Sequence, residues 1–233
     1  MLPPVSAHAS ADAFAGHYGR AVNDTDGHGQ YFEERPTARS RPNSVRLALP
    51  DVGPFELVTD RGVFAADRVD PGTMVLLRAI PPLPVDGHLL DLGCGYGPIA
   101  LTLAARSPRA TVWAVDVNER ALQLTTQNAR AAGLANVVVV PPEGVPADVR
   151  FTAMYSNPPI RIGKPALHAL LERWLARLEP GASAWLVVQR HLGSDSLAAW
   201  LREEGREVTR RRSSRGYRVL EVKPLLMPPT EPR

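Results

Sequence analysis

The stretch His88-Leu89-Leu90-Asp91-Leu92-Gly93-Cys94-Gly95-Tyr96-Gly97-Pro98-Ile99 decides how this chain folds. A short apolar run ends in glycines at alternate positions, and a proline then opens an Ala/Leu-rich pattern of helical period. This reads as a strand, a tight turn and a helix N-terminus. Glycines in such a turn permit positive φ and let a ligand come close to the backbone. Pro98 suits the first turn of the helix.

Ligand classes that use such a turn differ in their spacing. A P-loop needs Gly-Lys-Ser/Thr where the helix starts, and Tyr96-Gly97-Pro98 supplies neither the lysine nor the hydroxyl. The dinucleotide fingerprint G-x-G-x-x-G puts its last glycine at position 98, which is proline. An acid two residues before the first glycine, followed by G-x-G-x-G, resembles motif I of class I S-adenosylmethionine methyltransferases. The resemblance implies that Asp91 and the turn residues Gly93, Cys94, Gly95, Tyr96 and Gly97 hold the methionine end of that cofactor. A purely structural glycine turn is the competing reading. Cys94 is the only cysteine, so the chain forms no internal disulfide, and its place inside the turn makes it a small packing residue rather than a nucleophile.

Downstream, strand and helix patterns alternate. Thr111–Asp116 is an apolar strand closed by an acid, and Glu119–Ala132 a helix that Asn118 can cap, with Gly133 as its stop. Val137–Val140 is a β-branched strand and Phe151–Ser156 a further one, running into Asn157-Pro158-Pro159-Ile160. A helix from Lys164 or Pro165 to Leu178, a strand Ser183–Gln189, a helix Leu197–Glu204 and a closing pair Arg206–Arg212 and Tyr217–Val222 follow. Such alternation implies an α/β fold, a doubly wound, mostly parallel sheet of seven strands with helices on both faces.

Upstream, residues 1–30 read as a loose arm, expected to be poorly ordered. Its His8, His17 and His28 lack metal-ligand spacing, and no metal is expected. Residues 31–84 read as an N-terminal extension. It begins with a polar link carrying Arg35, Arg39, Arg41 and Arg46. A small β-hairpin of Val45–Leu49 and Phe55–Thr59 follows, around the turn Pro50–Pro54. Asp70-Pro71-Gly72-Thr73 then caps a helix over about Met74 to Ala79. The main domain spans 85–225 and a tail 226–233.

The 233 residues, 44% of them hydrophobic, suffice for a sizeable core. No run approaches the ~18 apolar residues of a membrane span, and the N-terminus lacks the basic and apolar regions of a secretory signal. A cytoplasmic protein is the expectation. Net charge is +3, and Lys164 and Lys223 are the only lysines. Arginine suits bidentate phosphate contacts, and Arg206, Arg210, Arg211, Arg212, Arg215 and Arg218 cluster near the C-terminus, with Arg161 and Lys164 beside the Asn-Pro-Pro stretch. These are the candidate RNA phosphate contacts, against the plainer reading of a solvated charged face.

Ligands of such sheets bind beyond the carboxyl ends of the strands, near the switch point. That brings together the glycine turn, Asp116 and Asn157-Pro158-Pro159. Asp116, 25 residues after Asp91, can accept both ribose hydroxyl protons; its alternative is to cap the next helix through Val117-Asn118. Prolines hold Asn157 extended at a strand end. Its amide oxygen and the Pro158 carbonyl give two acceptors for the hydrogens of a planar amine.

Asn157-Pro158-Pro159-Ile160 is similar to the (Asn/Asp)-Pro-Pro-aromatic motif of class I enzymes that methylate exocyclic or amide nitrogen, with Ile160 in the aromatic place. From Tyr31 to Lys223 the chain resembles single-domain bacterial relatives of the ribosomal RNA small-subunit guanine-N2 methyltransferases. The stretches that carry the likeness are Gln30-Tyr31-Phe32, Thr59–Phe64, Val69–Thr73, Leu90–Ile99, Val115–Arg120 and Ser156–Lys164. The resemblance implies methyl transfer from S-adenosylmethionine to guanine N2 in ribosomal RNA. Asn157, Pro158 and Pro159 would be catalytic. Asp116, Val117, Glu143, Phe64 and Thr73 would join the glycine turn at the cofactor. Glu143 would face the adenine amine or be a turn residue in solvent, and Phe64 would stack on the flipped base or sit in the core under the hairpin. A protein amide or small-molecule amine is an alternative acceptor, and a catalytically inactive nucleic-acid-binding module a reading of another class.

Overall fold

The computed structural model describes residues 39–224. The arm expected over 1–30, the start of the polar link and the tail 226–233 lie outside the described residues. The hairpin is present, with β1 (Asn43–Leu47) antiparallel to β2 (Phe55–Thr59) and Asn43 opposite Thr59. Helix α1 (Pro71–Leu77) follows. It starts earlier than the sequence pattern predicts, because Pro71 takes the first helical position behind the Asp70 cap.

The main sheet is built from β3 (His88–Leu92), β4 (Thr111–Val115), β5 (Val137–Val140), β6 (Phe151–Ser156), β7 (Leu178–Gln189), β8 (Val208–Ser214) and β9 (Tyr217–Val222). Its seven strands run in the order β5-β4-β3-β6-β7-β9-β8. The five strands β3 to β7 are mutually parallel, and β9 is antiparallel to both its neighbours. Helices α2 (Pro98–Arg106), α3 (Glu119–Ala131), α4 (Lys164–Leu175) and α5 (Ser194–Glu203) connect them.

Successive residues of a strand face opposite sides, and the two cores follow that rule. Leu89, Val112, Ala114 and Tyr155 pack with α1, α2 and α3, while Leu90, Val115, Met154 and Leu186 pack with α4 and α5. Burial on both faces is why these strands read as continuous apolar runs. Trp174, fully buried against Phe151 with ring centroids 6.1 Å apart, anchors the second core.

Two boundaries differ from the sequence expectation for one reason. Strand β7 begins at Leu178, not Ser183, and α4 stops at Leu175 to make room. Pro180-Gly181 looks like a break, but Gly181 takes φ 81° and the pairing with β6 shifts register there, so the interruption is a bulge within one strand.

The chain winds outward from β3 through β4 to β5, then returns to β6 on the other side of β3. The carboxyl ends of β3 and β6 therefore flank the switch point, where open α/β sheets bind ligands. The hairpin is tied to the same place. The Asn128 side chain on α3 accepts from the Val58 amide at 2.8 Å and donates to the carbonyls of Val58 and Tyr96, both at 2.8 Å. No helix among the described residues is long and apolar enough to cross a membrane.

Candidate active site

The glycine turn leaves β3 and is sewn to β4. The amides of Gly93 and Cys94 donate to the Val115 carbonyl at 2.8 and 3.1 Å, Gly97 donates to Cys94 at 2.9 Å, and Gly95 donates to Asp116 Oδ2 at 2.9 Å. These four amides are thus spent inside the fold. What the turn offers outward is an open edge. Gly93 is exposed at φ 76°, and no atom lies within 4 Å of where a Cβ would stand. Gly97, at φ 96°, is bare for another reason: a Cβ there would stand 2.8 Å from Leu101 and 3.1 Å from Thr125. The Tyr96 ring is buried, with its phenol reaching the Arg68 carbonyl at 3.5 Å. The Cys94 thiol is buried beside Thr125, and burial pushes its pKa up, as expected of a packing residue.

Two carboxylates stand behind this edge. Asp91 is wholly buried; Oδ2 accepts from the Ala100 amide at 2.8 Å, and Oδ1 has no hydrogen-bond partner. Burial above all, with repulsion from Asp116 added and the Ala100 hydrogen bond opposing, pushes Asp91 up to about 8. Burial also raises Asp116, against hydrogen bonds from the Asn118, Gly95 and Val117 amides. Asp116 braces the bend into α3 by accepting from Asn118 at 2.9 Å, while the helix cap itself is Asn118, accepting from Arg120 and Ala121. Carboxyls with raised proton affinity favour a cationic ligand group beside them.

The loop Gly62-Val63-Phe64 reaches this turn. Gly62 accepts from Asn118 Nδ2 at 2.9 Å, and buried Val63 has Cγ1 3.9 Å from the Gly95 Cβ position. Phe64 is 45% exposed, which corrects the reading of it as a core residue under the hairpin. Glu143 lies exposed on the short turn Pro142–Gly144 beyond β5, with β4 between that strand and β3.

Across the switch point, Ser156 pairs with Leu92, which sets Asn157 level with Gly93. The Ile160 amide donates to the Pro158 carbonyl at 2.8 Å around Pro159 at φ −74°, ψ 74°, an inverse γ-turn. A carbonyl oxygen has two lone pairs, so Pro158 keeps one. Asn157 Nδ2 donates to Asp70 Oδ1 at 2.9 Å and to Thr73 Oγ1 at 3.1 Å, whereas Oδ1 accepts from none of the described residues. Thr73, assigned by the resemblance to the cofactor, is buried with its hydroxyl on Asn157 instead. Asp70 reads locally as a helix cap within the Val69–Thr73 stretch, and its contact with Asn157, 87 positions away, is made only by the fold. Ile160 packs against the α4–α5 core.

The arginine cluster divides. Arg206 is buried, with Glu172 and Glu204 close to its guanidinium, and cannot reach a phosphate. Arg211 is held by Glu221 at 2.6 Å, and Arg218 by Asp195 and, at 3.3 Å, Ser194. Arg161, Lys164, Arg190 and Arg215 are exposed at the carboxyl edge: Arg161 in the turn after β6, Lys164 at the start of α4, Arg190 after β7 and Arg215 in the β8–β9 turn. Arg190 was missed by the sequence reading; Arg215 and Gly216, at φ 51° and 80°, make the two-residue turn that brings β9 back beside β7. Among the described residues no group of three or more His, Cys, Asp or Glu has metal-holding geometry.

Comparison with known proteins accords with this geometry. The family model described as methyltransferase small domain matches residues 54–221. An uncharacterized Bacillus subtilis protein, YbxB, is 35% identical over 198 residues, covering 83% of this chain and 97% of that protein. The ribosomal RNA small subunit methyltransferase C of Shewanella amazonensis is 32% identical over 169 residues, 70% of this chain and 49% of the enzyme, so the chain spans about half of that relative. Among solved structures, the T. thermophilus 16S rRNA N2 methyltransferase RsmC, in complex with AdoMet and guanosine, aligns with a TM-score of 0.69 at 26% identity, covering 81% of this chain and 52% of that one. The glycine turn, the acid that follows β4 and the Asn-Pro-Pro end of β6, on a class I fold, make this chain a member of the methyltransferase small domain family.

Proposed function

We propose that the chain transfers a methyl group from S-adenosylmethionine to the exocyclic N2 amine of a guanine in ribosomal RNA. The observation that carries the reading is Asn157, whose amide nitrogen is anchored and whose oxygen is left for an incoming N–H. The cofactor fits the residues present. The unpartnered Asp91 Oδ1 lacks a cationic neighbour, and the open edge of Gly93 admits a ligand to the backbone. Asp91, Gly93 and Gly95 would hold the methionine end, and Asp116 and Val117 the ribose. When bound, the cofactor supplies an electrophilic methyl on a sulfonium.

The protein's share is orientation, which can lower a barrier by up to ~7–11 kcal/mol. Asn157 Oδ1 and the remaining Pro158 lone pair accept the two amine hydrogens. This turns the nitrogen lone pair out of their plane and toward the methyl. As the N–C bond forms and the C–S bond breaks, the same two oxygens stabilise the positive charge growing on nitrogen. The alkylated nitrogen then loses a proton to solvent, with no strong base required.

A base inside a duplex cannot reach such a pocket, so the target is single-stranded, looped or flipped. Arg161, Lys164, Arg190 and Arg215 are exposed cations on the acceptor side, which supports a polyanionic acceptor. Phe64 is an exposed ring able to stack on the base.

The test is transfer of labelled methyl from S-adenosylmethionine to ribosomal RNA lacking its native methylation, with Asn157→Ala alongside. Label mapped to guanine N2, and turnover falling ~100-fold in the variant at unchanged cofactor affinity, is the expected result. Label on protein or on a small amine instead moves the acceptor class, and failure to bind the cofactor at all removes the enzyme reading.

A further inference from the structure

We propose that Asp70 is a positioning residue that fixes which way the Asn157 amide faces. The proposal rests on the methyl-transfer reading above and names a residue that reading leaves out. Asp70 Oδ1 receives two donors, the Thr73 amide at 3.0 Å and Asn157 Nδ2 at 2.9 Å. A carboxylate offers only acceptors, so the face of Asn157 toward it must be the NH2. Turning the amide over would set oxygen against oxygen. Thr73 Oγ1, at 3.1 Å, cannot impose this alone, because a hydroxyl both donates and accepts.

The consequence lies on the other side of the amide. With Nδ2 held, Oδ1 faces the acceptor amine; with the amide reversed, N–H would meet N–H and repel the substrate. Hydrogen bonds to an ionised group are roughly twice as strong as neutral ones, so one carboxylate is enough to fix the choice.

The carboxylate is seated on purpose-shaped backbone. A Cβ at Gly72 would stand 2.8 Å from Asp70 Oδ1 and 2.6 Å from the Tyr217 ring, so only glycine lets both approach. Gly72, Asp70 and Thr73 belong to the N-terminal extension, while Asn157 ends β6 in the main domain. The extension thus supplies the orienting contact for a residue of the catalytic motif.

The decisive variant is Asp70→Asn. Asparagine caps a helix as well as aspartate does, so the cap on Thr73 survives, but its amide tolerates either sense of Asn157. Expected are a melting temperature and cofactor affinity close to wild type, an acceptor KM changed less than threefold, and kcat lower by ~10–100-fold. A second measurement is independent of turnover: the Asn157 side-chain NH2 resonances, identified by their loss in Asn157→Ala, should exchange slowly in the wild type and shift and exchange faster in Asp70→Asn. Wild-type kcat in Asp70→Asn, or unmoved Asn157 resonances, overturns the proposal. Loss of cofactor affinity and melting temperature in step with kcat overturns it too, by making the role structural. A wild-type protein that labels no acceptor defeats the methyl-transfer reading, and the resonances still decide what Asp70 does.

Discussion

Near the carboxyl ends of β3 and β4 stand two carboxylates, Asp91 within β3 and Asp116 just beyond β4, held by backbone amides and raised in proton affinity by burial. Beyond β6, β7 and β8 the sheet carries the exposed cations Arg161, Lys164, Arg190 and Arg215. The first half is marked by buried acid, the second by exposed cations. On the proposed reading, one sheet edge would sort two ligands by sign, a cation on the acidic side of the switch point and a polyanion on the basic side. Asn157 stands where the two regimes meet, with one end of its amide committed and the other free.

The hardest blow to that contrast is Asp91→Asn. It should weaken cofactor binding by ~30-fold or more, the ~2 kcal/mol or greater cost of removing one member of a buried charge pair, and leave RNA affinity alone; calorimetry and filter binding read the two separately. The same carboxyl predicts a pH signature. Its value is raised to about 8 from the ordinary 3.8, so between those pH values the native state keeps a proton that the unfolded chain has lost. Stability of the ligand-free protein should then fall as pH rises from about 4 to about 8 through this group, and Asp91→Asn should flatten that slope. Binding of a cationic ligand near pH 7 should release protons, visible as a calorimetric enthalpy that depends on the buffer.

On the other half, the triple charge reversal Arg161→Glu, Lys164→Glu, Arg215→Glu should lower RNA affinity ~10-fold or more and reduce the salt slope by about 2, at ~0.7 per phosphate contact with a single strand. Cofactor affinity should not move. Arg206→Gln should lower the melting temperature and spare RNA affinity, since that guanidinium is buried.

The smallest expected effects separate two glycines of one turn. Gly97→Ala combines positive φ with close contacts to Leu101 and Thr125 and should cost ~2 kcal/mol of stability in denaturant melts. Gly93→Ala meets no atom within 4 Å, so it should cost only the ~1 kcal/mol of its left-handed backbone while weakening the cofactor more than the fold. Equal effects on both readouts would erase the distinction between a packing glycine and a ligand-facing one.

The fold was legible because apolar runs such as Val137–Val140 and Phe151–Ser156 announce strands whatever they pack against, and both fall where expected. The acid beyond β4 and the Asn-Pro-Pro corner were legible because their chemistry is carried by adjacent residues. What depends on distant partners was not. Asp70 reads as a cap because its contact with Thr73 is local, while its contact with Asn157 is made only by folding. Arg206 and Arg210 look alike in the sequence, yet only Arg206 is buried by the fold, while Arg210 is exposed. The bound amides of Gly93, Cys94 and Gly95 were hidden for the same reason, since their acceptors are Val115 of β4 and Asp116 just beyond it.

Asn128 has a consequence for how the molecule breathes. A two-stranded hairpin alone is marginal in water, and β1–β2 ought to open readily by itself. Yet one side chain of α3 takes both backbone groups of Val58, as a neighbouring strand would, and holds the Tyr96 carbonyl of the glycine turn with its remaining proton. Hairpin, helix and turn should therefore open together, so the Val58 amide should exchange with deuterium on the slow clock of the central sheet. A truncation that spares every residue of the turn but removes β2 would release that turn as well.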